Sequence, residues 1–271
     1  MVETKSYTWD VCTLTLSARD ILKAQGLLDP IGFAHADVPK LMPQAISPEF
    51  MGTDVYSTIF AYRTDRVKNA PASWTDFFNV EKFPGRRALR KNPIDTIEQA
   101  LLADGVPLDK LYPLDVERAF KSLDKIKPHI NIWWTSGAHA TQLLKDGELD
   151  LMSTWSTRAQ AAINAGAPAG IVWNGGLFNI DGWTIAGNTV KADLARKFIE
   201  WCLDPKRQAA YTDILACGPT NMKAYEHLSA EKAALLPTAP DNIKGLTVLN
   251  AAYWAEHQDE LTQRFEQWIL S

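Results

Sequence analysis

Short apolar runs alternate with helical segments of about ten residues along most of this chain, and that alternation restricts the fold more than any other feature. Trp9–Leu14, Val55–Tyr62, Gly85–Leu89, Ile130–Trp134, Leu149–Trp155, Gly170–Trp173 and Trp183–Ala186 read as strands. Between and after them the apolar spacing predicts helices over 18–27, 71–78, 94–103, 115–126, 136–144, 157–165, 191–203, from Pro205 onward, and 250–270. Ser17 stands as the cap of the first helix and Ser136 begins another. The pattern predicts an α/β fold with mostly parallel sheets. No linker and no tandem repeat interrupts it.

Composition narrows the function classes. At 271 residues, 46% hydrophobic and 22% charged, the chain can bury a large core. No apolar run reaches the roughly 18 to 20 residues of a membrane span. The net charge of −4 supplies no basic stripe for a nucleic acid, so none is expected as a partner. The N-terminal Met1-Val2-Glu3-Thr4-Lys5-Ser6 lacks the basic and apolar regions of a secretion signal. Cys12, Cys202 and Cys217 are widely spaced and read as buried thiols. The ten tryptophans spread over the whole chain, as core-packing residues do.

Enzymatic machinery is not visible. No nucleotide-binding, zinc-protease or nucleophile-elbow motif occurs, and neither a cofactor nor a metal site is expected. Asn174-Gly175-Gly176-Leu177 reads as a turn. His35, His129, His139, His227 and His257 have no ligand spacing, and Asp146, Glu148 and Asp150 read as a solvated turn.

Polar and aromatic residues instead gather at the ends of elements. Tyr56-Ser57-Thr58 lies on a strand; Trp134-Thr135-Ser136-Gly137 and Trp155-Ser156-Thr157 each join a strand to a helix; Asp181 precedes a strand. Ligands of open α/β sheets sit at such strand ends, where helix N-termini present unbonded N–H groups. The candidate ligand-binding residues are therefore Tyr56, Thr135, Ser136, Trp155 and Asp181.

Thr8-Trp9-Asp10-Val11, Pro71 to Phe78 followed by Lys82 to Leu89, Leu101 to Gly105, Gly147 to Asp150, Asp181 and Gly218-Pro219-Thr220-Asn221 follow one another in an order that resembles the extracellular solute-binding proteins of polyamine-type (spermidine/putrescine) ABC importers. The resemblance runs from about Tyr7 to the C-terminus. It implies a two-lobe type II periplasmic-binding fold, with lobe one at 1–62 and 182–240, lobe two at 63–181, and the C-terminal helix of 241–271 packed on lobe one. The implied function is that of the substrate-binding subunit of an ABC importer, in the periplasm, with a permease as partner and a small amine-containing solute captured between two lobes. In the family, Trp155 corresponds to an apolar face for the solute, Asp181 to a carboxylate for its ammonium, Asp95 to a further acid, and Tyr56 to an aromatic site residue.

Two departures from the family shape the expectation. The chain opens at the equivalent of a later strand, so part of lobe one is expected to be missing, with a homodimer as one way of covering the gap. Asn179, Cys217 and Gly218 stand where polyamine binders carry aromatics, and a smaller amine such as an aminobutyrate fits as well. The competing readings are a truncated remnant that folds or dimerises without capturing solute, and an enzyme without recognisable motifs.

Overall fold

Two strands are far longer than the usual five or six residues: Phe50–Arg63 has 14 and Ala169–Ala186 has 18. Both are rich in β-branched and aromatic residues, which suit a pleated, buried surface. In the computed structural model, which describes residues 1–33 and 41–271, each passes from one compact unit of the chain into the other. Unit 1 is Met1–Tyr56 with Asn179–Ala239, and unit 2 is Ser57–Phe178 with Pro240–Ser271. The unit divisions fall at 56/57 and 178/179, against 62/63 and 181/182 from the sequence. His35 lies outside the described residues.

Where two strands were expected at 170–173 and 183–186, the chain is a single strand. Asn174-Gly175-Gly176 does not turn it. Gly175 has φ +78°, and a Cβ there would stand 2.8 Å from Cδ1 of Trp74. The Trp74 indole N–H donates to the Gly175 carbonyl at 2.8 Å. The glycines let the strand pass beneath a buried tryptophan.

Strand direction is mixed rather than mostly parallel. In unit 1, Val11–Thr15 pairs antiparallel with 181–185, and Asp54–Val55 pairs antiparallel with 218–219. In unit 2, 58–62 and 151–155 are antiparallel, while Arg87–Arg90 is parallel to Ile130–Trp134. The parallel pair is joined through the helices Pro93–Ala103 and Val116–Ile126, the crossover that parallel pairing requires. The antiparallel partners are remote segments that meet by packing, which local spacing does not encode.

Helix starts follow N-cap chemistry. Ser73, Asn92, Asp115, Ser136 and Asn250 each accept a backbone N–H of the first turn. The first helix begins two residues earlier than expected: Thr15 caps Leu16–Ala24, and Ser17 lies inside it. Of the three thiols, Cys217 is buried, whereas Cys12 and Cys202 are only partly so.

The core of unit 1 gathers Ile31, Met51, Ile185, Ala195 and Ile199. Unit 2 packs Phe60, Trp74, Phe77, Leu89, Ile97, Leu101, Phe120 and Leu123 with Trp254, Leu261 and Phe265 of the C-terminal helix Ala251–Leu270. That helix therefore belongs to unit 2 and not to the lobe containing the N-terminus. Its apolar stripe at 254, 261 and 265 matches the aromatic cluster of unit 2. The Lys82 to Leu89 segment is also structural, because the buried Arg87 guanidinium donates to the carbonyls of Phe77, Phe83 and Gly85. Asp150 accepts the Arg86 N–H at 2.7 Å, which gives that acidic turn a packing role.

A buried carboxyl ties the C-terminal helix to the rest of unit 2. Glu98 is fully buried; Oε1 accepts from the Tyr112 hydroxyl and the Trp254 indole, each at 2.6 Å, and Oε2 has no partner. Burial pushes this carboxyl up to about 7, opposed by the Tyr112 hydrogen bond and reinforced by the charge of Asp95. A carboxyl raised in the folded state favours folding fully below about 4.5 and loses that contribution as the pH climbs to about 7. Glu98→Gln keeps the acceptor and cannot titrate. Over that window the wild type should lose stability relative to Glu98→Gln by a difference on the order of 3 kcal/mol. Denaturant unfolding across the range measures it, and parallel curves would refute the assignment.

Candidate functional site

Unit 1 carries two acids within its long strands, one buried and one partly buried. Asp54 lies on the long strand Phe50–Arg63 opposite Pro219, and Asp181 lies on the strand Ala169–Ala186 opposite Thr15. Asp54 is 8% exposed. Asp181 is partly buried, and its Oδ1 is buried with no hydrogen-bond partner. Neither joins an ion pair among the described residues. Burial raises Asp54 to about 8, and the charge of Asp181 adds to the rise; burial raises Asp181 to about 6. The neighbouring Tyr211 hydroxyl is pushed up to about 12 by burial and then by Asp54, and the Cys217 thiol moves upward for the same reasons. An uncompensated carboxylate in such surroundings is costly, and a positive charge placed beside it would lower that cost. Tyr56, partly buried, lies two residues beyond Asp54 on the same face of the strand.

Unit 2 carries an aromatic and cationic group. Trp155 ends the strand Leu151–Trp155, opposite Thr58, and meets Trp134 edge-on at 5.3 Å. The Arg90 guanidinium stands 5.0 Å from the Trp155 ring centre and 5.9 Å from that of Trp134, within cation–π range. Arg158, exposed, occupies the first turn of the helix Ser156–Asn164. Its Nε and the Trp155 ring crowd Gly137, where a Cβ would lie 2.6 Å and 3.0 Å from them. Only glycine lets these side chains close over the start of the helix Gly137–Lys145. Arg158 has no acidic partner among the described residues. No side chain caps the helix Ser156–Asn164, so its first N–H groups add to the positive field.

The other expected residues are placed less directly. Ser136 is held as the N-cap of its helix, accepting the His139 N–H at 3.3 Å, and Thr135 beside it is exposed. Asp95 is buried and receives the Arg90 guanidinium at 3.1 Å; burial pushes its carboxyl up, against the pull of Arg90 and a hydrogen bond from Thr58. Its backbone is at φ +73°, ψ −44°, a conformation costly for a residue with a side chain. Asp95 thus fixes Arg90 against Trp155.

Sequence reasoning missed Asp54, Arg90 and Arg158. A charge within a strand otherwise reading as buried marked Asp54. A cation in a helix's first turn, where the macrodipole disfavours it, marked Arg158.

The chain matches a family described as bacterial extracellular solute-binding protein over residues 1–238. It is 36% identical to a gamma-aminobutyric acid-binding protein of Pseudomonas aeruginosa, over 99% of this chain and 78% of that one. Similarity to a spermidine/putrescine-binding periplasmic protein of Escherichia coli is weaker, at 26% over 82% of this chain and 66% of that one. The crystal structure of an ABC transporter substrate-binding protein from Bradyrhizobium japonicum USDA 110 superposes with a TM-score of 0.91 at 38% identity, covering 98% of this chain and 84% of that one.

Removing the Asp95 carboxylate strands the partly buried Arg90. Asp95→Ala should destabilise unit 2 by about 3 kcal/mol, the low end for breaking a buried pair. Asp95→Asn should cost less, because the amide still accepts from Arg90 and asparagine tolerates positive φ. Urea unfolding of both variants checks this, and equal losses would show that the charge has no positioning role.

Proposed function

The chain belongs to the bacterial extracellular solute-binding proteins, and from that premise we propose that its solute is a small amino acid-like molecule bearing one ammonium and one carboxylate, of the γ-aminobutyrate type. Members of this family are substrate-binding subunits of ABC transporters and not enzymes. The protein hands its solute to an ABC permease from the periplasmic side of the membrane.

The observation that carries the reading is that two acids of unit 1, the buried Asp54 and the partly buried Asp181, join no ion pair among the described residues, and that Oδ1 of Asp181 is buried without a hydrogen-bond partner. An ammonium about 4 Å from a carboxylate gains roughly 4 kcal/mol at an effective dielectric of 20. Unit 2, taken by itself, offers Arg158 and the uncapped helix start beside Trp155 as groups that suit a carboxylate. A polyamine has no anionic group for an unpaired arginine and would be repelled by it. Asn179, Cys217 and Gly218 also leave out aromatic rings that would flank a long methylene chain. The name of the 36%-identical relative agrees with the amino acid reading.

Calorimetry with γ-aminobutyrate tests it. Asp181→Asn should weaken binding by about 2 to 4 kcal/mol, the range for truncating one partner of a buried charge pair. Arg158→Ala should weaken γ-aminobutyrate binding too, while improving the affinity for putrescine. An unchanged dissociation constant in Asp181→Asn would remove that residue from the site, and preferential binding of putrescine by the wild type would replace the amino acid reading with a polyamine one.

A further inference from the structure

Gly137 opens the helix Gly137–Lys145, and its backbone does not call for glycine. Its φ is not positive, and alanine is the better helix former. The reason lies in the space around it. A Cβ there would stand 2.6 Å from Nε and 3.1 Å from Cζ of Arg158, and 3.0 Å from Cζ3 of Trp155. Unbonded carbon atoms settle nearer 3.5 to 4.0 Å, so one neighbour would have to move.

The neighbours differ in how far they can give. Trp155 is met edge-on by Trp134 at 5.3 Å and faced by the Arg90 guanidinium at 5.0 Å. The backbone of Arg158 is tied down by Thr141, whose hydroxyl donates to the carbonyls of Gly137 at 3.1 Å and of Arg158 at 3.4 Å. One side chain thus links the starts of the helices Gly137–Lys145 and Ser156–Asn164. Beyond its backbone Arg158 is exposed and has no acidic partner among the described residues. Its guanidinium is the group that a Cβ at position 137 would displace.

We propose that Gly137 is a positioning residue that sets the solute specificity of unit 2: the room it leaves seats the Arg158 guanidinium beside Trp155, and a larger side chain there relaxes the demand for a carboxylate on the solute. A guanidinium meets a carboxylate through two parallel N–H···O bonds, so its seat has to be fixed in direction as well as in distance. The inference rests on the reading of Arg158 as the partner of the solute's carboxylate and adds which residue places that arginine.

Two measurements separate this inference from the reading it rests on. The first needs no solute. The Arg158 Nε–H proton resonance, identified by its loss in Arg158→Lys, should shift in Gly137→Ala as the guanidinium leaves the Trp155 ring, while the melting temperature does not fall. The second is calorimetry with γ-aminobutyrate and butylamine on the wild type, Gly137→Ala, Arg158→Ala and the double variant. Gly137→Ala should weaken γ-aminobutyrate by about tenfold or more, the scale of one hydrogen bond to a charged group, and leave butylamine unchanged. In the Arg158→Ala background the same substitution should change nothing, because both residues act through one group. An unmoved resonance overturns the inference whatever binds. Full γ-aminobutyrate affinity in Gly137→Ala, or an equal loss in both backgrounds, overturns it while leaving the amino acid reading intact. Full affinity in Arg158→Ala overturns the carboxylate reading, and the role of Gly137 with it.

Discussion

Taking a charged group out of water costs several kcal/mol unless a partner or a bond replaces the lost hydration, and the way each buried charge meets this cost organises the protein. Arg87 is answered by three backbone carbonyls, which shape the turn before its strand. Asp95 is answered by Arg90, at a backbone position strained enough to need a reason. Glu98 is answered by Tyr112 and Trp254, and so anchors the C-terminal helix. Asp54 and Asp181 join no ion pair among the described residues, and Oδ1 of Asp181 is buried without a hydrogen-bond partner. A ligand that completes such a defect is stabilised by it, which is why the proposed function rests on these two acids rather than on the better-satisfied ones around them.

The same distinction separates the two carboxylates that sequence resemblance put forward. Asp95 and Asp181 look equivalent as candidate acids on a strand-and-helix map. In the structure one is consumed by a neighbouring arginine and the other is left over. The proposed function gives ligand recognition to the second, while the first is a brace that holds Arg90 against Trp155. The exposed Arg158 is set at a helix start whose own dipole would prefer an acid, and the proposed function gives it the carboxylate.

Much of the local structure was legible in the sequence, because N-caps and apolar spacing act over a few residues. The helices starting after Ser73, Asp115, Ser136 and Asn250 are of this kind. Strand direction, the unbroken run through Gly175 and the home of the C-terminal helix were not legible. Each depends on a distant partner: Trp74 over Gly175, and the aromatic cluster around Phe60 for Trp254 and Phe265. The site divides in the same way. Trp155 and Asp181 stood out at element ends, whereas Asp54 lies just before the strand expected at Val55–Tyr62, and only its burial in the longer strand Phe50–Arg63 reveals its chemistry.

The central claim is that this solute-binding protein recognises an ammonium and a carboxylate on one small molecule. Side-by-side calorimetric titration with γ-aminobutyrate, butylamine and butyrate tests it most directly, because the three share a four-carbon chain and differ in which charges they carry. The account predicts that γ-aminobutyrate binds and that each singly charged analogue binds far more weakly. Butylamine binding as tightly as γ-aminobutyrate would contradict it, since the cationic group around Arg158 would then have no part in recognition.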